Sequence, residues 1–340
     1  MEWTSSIKEL PENIVEAASA ANVFYTDGYA AMQAEKGATA IYLYDEAFLW
    51  VVFLKRKFVF RYAFIPTEYV LLKKINEEEE RTHLDEAVRV LQKKLKCQWI
   101  GPTGVTAMFH VAPKNSRHIP FGNQLLDLTE DEEVLWNNIH SKHKNSIRKA
   151  EKDGVHICSG NSEELLEKFL LIDAQTWRRS GIETHTRMEL EPMLKNMKDN
   201  LLVALAERNG EVQAGAVFLY NKEMAYYMYG ATKDHPSTGS ANLLQWKSIL
   251  EMKHQGVKRY SFVGYRFNAE PDSKYYSIQR FKGRFGPSVD EGVMFKCIFN
   301  KPMYNLSRFV VSLFKNHGKK SLDIIEQEYP KWHLQGKSIT

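Results

Sequence analysis

Between residues 38 and 66, apolar and aromatic residues come in three dense runs, ATAIYLY, FLWVVFL and FVFRYAFIP, separated by short polar breaks. Runs this rich in β-branched and aromatic residues predict three strands. The acidic stretch NEEEER then opens a helix whose apolar face includes Leu84, Val88, Leu91 and Leu95. A short apolar strand, CQWIG, follows. The same order returns later in the chain. LLVALAE reads as a strand, Asn209-Gly210 is a two-residue hairpin signal, and QAGAVFLY and MAYYMYG are two further strands. A helix is expected from about Ser240 to Gln255, with Leu243, Leu244, Ile249 and Leu250 inward. Gly256 stands where a helix-ending glycine belongs, and KRYSFVG closes the series. Both halves read strand, strand, strand, helix, strand, so the pattern predicts a duplicated α/β domain although residue identities do not visibly repeat.

Between the halves the pattern predicts one long helix from about Asp131 to Asp153, stopped by Gly154, with Trp136, Ile139, His143, Ile147 and Ala150 on one face. Lys142, Lys144, Arg148, Lys149 and Lys152 crowd elsewhere on it, as a solvated charged face or as a contact for RNA or phosphate. A second helix follows, with Asn161 as N-cap and Glu164 at its third position, ending near TWRRSG. Residues 302–317 are amphipathic, with Leu306, Phe309, Val310, Leu313 and Phe314 facing one way and Arg308 and Lys315 another. Such a helix either packs on its own domain or lies on an anionic membrane surface.

At 340 residues, 44% of them hydrophobic, the chain is long enough for two ordinary cores. A net charge of +4 is mildly basic and argues against a dedicated DNA binder. Cys97, Cys158 and Cys297 stand far apart in no metal-binding spacing, so they read as reduced thiols of a cytoplasmic protein without structural zinc. Cys158 and Cys297 fall in strand-like runs and read as core residues. The histidines show no ligand spacing either, and no metal is expected. The first residues lack the apolar core of a signal peptide. No uncharged run approaches the roughly 20 residues that cross a bilayer.

The chain holds no GxxxxGK[ST], GxGxxG, HExxH or GxSxG motif. Two stretches remain. In KDHPSTGSANLLQW, Pro236 stops the preceding strand and Thr238, Gly239, Ser240 and Ala241 enter a helix N-terminus, where they act as ordinary caps or as an anion site. In SIQRFKGRFGP, Ile278, Phe281 and Phe285 share one helical face, and Arg280, Lys282 and Arg284 interleave with them.

Four stretches together resemble the Fem-type acyltransferases, proteins of duplicated GNAT domains that attach amino acids to peptidoglycan precursors, with relatives that acylate sugars. They are NSIRKAEKDGVHI, TWRRSGI, YGATKDHPSTGSANLLQWKSILEMKHQGVKRYSFVG and IQRFKGRFGP. The resemblance covers residues 131 to 300 well and the first half mainly in layout, with NVFYTDGYAAM at the family's opening aromatic helix. It implies two tandem GNAT-like α/β domains with mixed sheets flanked by helices. These are residues 1–130 and 131–300, with C-terminal helices in 301–340 packing back on them. It implies that Lys282 lies in the active-site channel and holds negative charge, with Phe281 and Phe285 anchoring its helix. Arg179 matches a position associated with acceptor phosphates and Arg187 is a second candidate, unless either caps a helix end. The family often has a lysine after its opening aromatic; here Gln33 occupies that place and Lys36 follows one turn on. Ser261 stands where the family usually has an aspartate, which points to a different acceptor. Tyr227 and Tyr229 either line the site or pack.

No tightly bound cofactor is implied; the donor is acyl-CoA or aminoacyl-tRNA. PSTGSA resembles the GNAT pyrophosphate loop, which leans towards CoA, although Pro236 stands in place of the loop's cation. The implied acceptor is an anionic or lipid-linked envelope precursor, met in the cytoplasm with peripheral membrane contact as an option. The competing reading is a non-catalytic RNA-binding module that uses the basic helix 142–152.

Overall fold

The computed structural model describes residues 1–180, 185–315 and 322–334. The chain forms two compact units. One holds Met1–Asn123, Gly264–Glu270 and the described residues from Asp290 on; the other holds Gln124–Val263 and Pro271–Val289. Where boundaries near residues 130 and 300 were expected, the chain leaves the first unit after Asn123 and returns to it twice.

In the first unit, β1 (Glu2–Thr4), α1 (Glu12–Ala21) and α2 (Asp27–Glu35) precede the three predicted strands, β2 (Ala38–Tyr44), β3 (Phe48–Lys57) and β4 (Phe60–Phe64). β5 (Val70–Leu71), α3 (Glu77–Lys93), β6 (Trp99–Ile100) and β7 (Arg117–Asp127) follow. β1 to β4 pair antiparallel in order, and β4 then runs parallel to β6. Asn76 and Glu79 close a capping box at the start of α3, so its acidic first turn meets the positive end of the helix dipole. Leu84, Ala87 and Leu91 of α3 pack with Trp50, Phe109 and Phe295 in the core of this unit.

The second unit contains α4 (Glu132–Asn138), α5 (Ser141–Lys152), β8 (His156–Gly160), α6 (Glu163–Ser180) and α7 (Arg187–Asn196). Its central strands are β9 (Leu201–Arg208), β10 (Glu211–Tyr220) and β11 (Met224–Thr232), joined to β12 (Arg259–Ser261) by α8 (Ser240–His254) and followed by α9 (Lys274–Gly283). β8 to β11 pair antiparallel in order, β11 runs parallel to β12, and β12 pairs with the end of β7. Asn209 and Gly210 both have positive φ, as a two-residue hairpin turn requires. β13 (Ser288–Ile298), α10 (Lys301–Lys315) and α11 (Ile324–Leu334) complete the chain; β13 pairs with β6.

Two expectations need correction. The long helix at 131–153 is two helices, because Ile139 adopts an extended conformation and His140 starts α5 anew. The ring Nδ1 of His140 accepts the Lys142 N–H at 3.1 Å. α6 is capped by Ser162, whose Oγ accepts the Leu165 N–H at 3.3 Å, while Asn161 donates to the Lys198 carbonyl instead. On α10 the apolar stripe faces outward, with Leu306, Phe309 and Leu313 all exposed. Residues 316 and 317 of that predicted helix, and the side chains of Phe314 and Lys315, lie outside the described residues.

Candidate active site

The last paired residues of the parallel strands β11 and β12 are Tyr226 and Ser261. Beyond them the strands part. β11 also carries a bulge, for Val217 pairs with Tyr229 and Phe218 with Tyr227, which leaves Met228 as the extra residue. The bulge breaks strict alternation, so Tyr227, Met228, Tyr229 and Gly230 all line one cavity of about 610 Å³. Val263, Asp173 and His185 line it too, and α9 closes it with Lys274, Ser277, Ile278, Phe281 and Lys282.

Lys282 is only 9% exposed, and its Nζ donates to the Val263 carbonyl at 2.8 Å. Burial disfavours the charged form and lowers its pKa to about 8. Val263 has φ 49°, a left-handed conformation that β-branched residues avoid. The turn is held by Ser261, whose Oγ accepts the Val263 N–H at 3.1 Å. Backbone strain of this kind gathers at functional sites. Here a strained carbonyl presents the oxygen that fixes a buried lysine.

α9 starts on Ser273, whose hydroxyl caps the Tyr276 N–H at 3.1 Å. His143 of α5 donates from Nε2 to the Phe281 carbonyl at 3.0 Å, and its ring contacts those of Phe281 and Phe285. Burial drives the His143 pKa down to about 4, so it serves as a neutral donor. The expected apolar face of α9 is redrawn. Phe285 lies past the helix end and is buried against Phe262, and Ile278 is exposed at the cavity. Lys282 itself turns inward.

Tyr227 and Tyr229 both line the cavity, and burial raises each pKa to about 12. A Cβ on Gly230 would come within 1.8 Å of the Tyr227 hydroxyl, so a larger residue here would push the Tyr227 ring aside. Two further residues carry no motif. Asp173, 1% exposed on α6, accepts the backbone N–H of His185 at 3.0 Å, and the same oxygen lies 3.1 Å from the His185 Nδ1. The His185 ring lies against Tyr229 with centroids 4.2 Å apart. The one available signal was a carboxylate at helical spacing with the buried Leu166 and Phe169.

The other expected site residues lie elsewhere. Arg179 pairs with Asp234 and donates to the Thr232 carbonyl. Arg187 is held by Glu163 and Glu167. Ser261 is fully buried and bears on the cavity through Val263. Lys36 is the half-buried C-cap of α2 in the first unit. The turn at Thr238–Ala241 does start α8, with Gly239 at φ 83°. The missing Cβ is required because it would sit 2.1 Å from the Ser146 carbonyl of α5. Ser240 is fully buried, and both its N–H and its hydroxyl donate to the Ser237 carbonyl.

Cys158 is not a core residue. It lies half-buried on β8, with its Sγ 3.8 Å from Glu207. His156, Cys158 and Glu207 bring ligand-type atoms within 4.8 Å of one another, and Lys168 already places its ammonium 3.3 Å from Glu207. Among the described residues no helix is long and apolar enough to cross a membrane.

Residues 138–276 match the family described as acetyltransferase (GNAT) domain. The chain is 30% identical over 112 residues to the lipid II:glycine glycyltransferase of Staphylococcus haemolyticus, covering 32% of this chain and 27% of that one. It is 29% identical over 157 residues to the UDP-N-acetylmuramoylpentapeptide-lysine N(6)-alanyltransferase of Weissella viridescens, 45% of this chain and 46% of that one. The chain thus spans less than half the length of these relatives. The crystal structure of FemX superposes with a TM-score of 0.67 at 15% identity, covering 90% of this chain and 99% of that one. These likenesses bear out the expected GNAT-like α/β fold and the resemblance to the Fem-type acyltransferases.

Proposed function

We propose that the chain is an N-acyltransferase that moves an aminoacyl group from a tRNA ester to a primary amine of a cell-envelope precursor such as a muramyl peptide. The observation that carries this reading is the buried lysine in the crevice where β11 and β12 part. Attack of an amine on an ester carbonyl puts negative charge on the carbonyl oxygen. A preorganised cation in a site shielded from water stabilises that charge by roughly 3 to 4 kcal/mol. Lys282 is the cation, Val263 and α9 fix it, and Phe281 walls the cavity beside it. Holding donor and acceptor together there supplies much of the remaining acceleration.

Three observations favour a tRNA ester over CoA. Pro236 stands in place of the phosphate-binding cation. The Ser240 N–H is already bonded, and Gly239 abuts α5. Lys142, Arg148, Lys149 and Lys152 of α5 are exposed in the same unit, as contacts for a nucleic-acid backbone would be. The relatives named above transfer glycyl and alanyl groups, one of them to a lysine N6. The outward stripe of α10 would suit contact with an anionic membrane carrying a lipid-linked acceptor. Arg179 and Arg187 hold carboxylates and take no part in this reading, and Lys36 as an acceptor contact rests on the resemblance alone.

The test offers the purified protein glycyl- or alanyl-tRNA and, separately, acetyl-CoA, each with a UDP-muramyl pentapeptide, and reads the product by mass. Amide product from charged tRNA alone is expected. Acetylated product with saturable CoA binding in calorimetry would move the donor to CoA. RNA binding with a steep salt dependence and no product from either donor would favour the binding module.

A further inference from the structure

We propose that His185, held by Asp173, is the base that takes a proton from the acceptor amine; this rests on the transferase reading above. A lysine-type amine has an unperturbed pKa of about 10.4, so at neutral pH it arrives as an ammonium with no lone pair to attack with. The cavity therefore needs a proton acceptor. Lys282 is the cation beside the carbonyl oxygen and cannot serve. Tyr227 and Tyr229 keep their protons, their pKa values raised to about 12 by burial.

His185 has the required setting. Asp173 takes two contacts from this one residue, its backbone N–H at 3.0 Å and its ring Nδ1 at 3.1 Å. A carboxylate facing Nδ1 assigns the proton to that nitrogen and leaves Nε2 as the basic atom. Tyr229 lies against the ring and limits its rotation. A carboxylate 1% exposed is costly unless hydrogen-bonded. Capping the His185 backbone alone would need one of the two contacts; the second orients the imidazole. Both residues line the cavity that holds Lys282.

The ammonium gives one proton to His185 Nε2, and the freed nitrogen pair attacks the ester carbonyl carbon. The C–N bond forms, and the carbonyl pair moves onto oxygen beside Lys282. When that pair returns, the C–O bond to the donor breaks, and the departing oxygen takes a second proton from the nitrogen. The imidazolium returns its proton to water. Asp173 is a positioning residue; His185 touches the amine.

The experiment compares two acceptor peptides that differ only in amine basicity, one ending in a lysine amine and one in a weakly basic fluorinated analogue that is largely unprotonated at neutral pH. For His185→Gln, kcat/KM should fall about 100-fold or more with the lysine amine and far less with the weakly basic one, KM staying near that of the wild type. Asp173→Asn should show the same selectivity at smaller size. Equal losses for both amines, or none, in a folded His185→Gln protein would overturn the assignment while leaving the transferase reading intact. Absence of amide product from the wild type with both amines would overturn the two together.

Discussion

The molecule contains the same pair of strands twice, once closed and once open. In the first unit β4 runs parallel to β6, and past their last paired residues, Ala63 and Ile100, the chains stay joined. The Gly101 N–H donates to Ala63 at 3.1 Å, the Gly104 N–H to Ile65 at 2.7 Å, and the Thr106 hydroxyl to Pro66. Ala63, Ile65 and Ile100 are almost fully buried. In the second unit β11 runs parallel to β12, but pairing stops at Tyr226 and Ser261 and a cavity opens. Phe262 turns its N–H to Gln124 of β7, and Val263 gives its carbonyl to Lys282. The layout is shared; what differs is where the backbone groups beyond the fourth strand find their partners. Hydrogen-bonded across, they seal a core; turned away, they leave a cavity and a carbonyl that holds a buried lysine.

Single substitutions break this contrast in graded ways. Gly230→Ala should lower kcat/KM at least tenfold, since the new Cβ displaces the ring of Tyr227, which lines the cavity, and thermal unfolding with steady-state kinetics would show it. Gly104→Ala makes the matching test on the closed side. Its Cβ would lie 2.9 Å from the Ile65 carbonyl, so it should cost about 1 to 3 kcal/mol of stability in denaturant titration and leave turnover per folded molecule unchanged. Ser261→Ala removes the hydroxyl that accepts from Val263 and should cost about 1 kcal/mol, with a few-fold loss of rate as the Lys282 anchor loosens.

A pH series gives the smallest effect, with a sign that identifies its source. With its pKa lowered to about 8, Lys282 loses its charge as pH rises through that value, so activity falls there. Between that value and the unfolded lysine pKa of about 10.4, the unfolded chain binds more protons than the folded one. The penalty for burying the ammonium, fully present below about 8, is relieved over this window. Stability therefore rises while activity falls.

Much of the frame was legible in the sequence. β2, β3, β9, β10, β11 and α8 follow from β-branched runs, one Asn-Gly turn and an amphipathic helix, since burial imposes that pattern. The break at Ile139 was hidden because its cap is a histidine ring nitrogen rather than a common capping side chain. The turn at Gly239 read as a cap or an anion site, yet the position is tight because of a neighbouring helix that pattern alone does not place. Lys282 was found through the family resemblance, whereas periodicity put Ile278 on the buried face. His185 lies 12 residues from Asp173 and belongs to no motif, and only the fold brings the two together.

The most direct test of the open crevice as the transfer site is the turnover of Lys282→Met, measured with charged tRNA and muramyl peptide on protein whose melting temperature is determined in parallel. The account predicts a folded protein with turnover at least tenfold below the wild type. A wild-type rate in folded Lys282→Met would remove the lysine from the chemistry and the crevice from its central role.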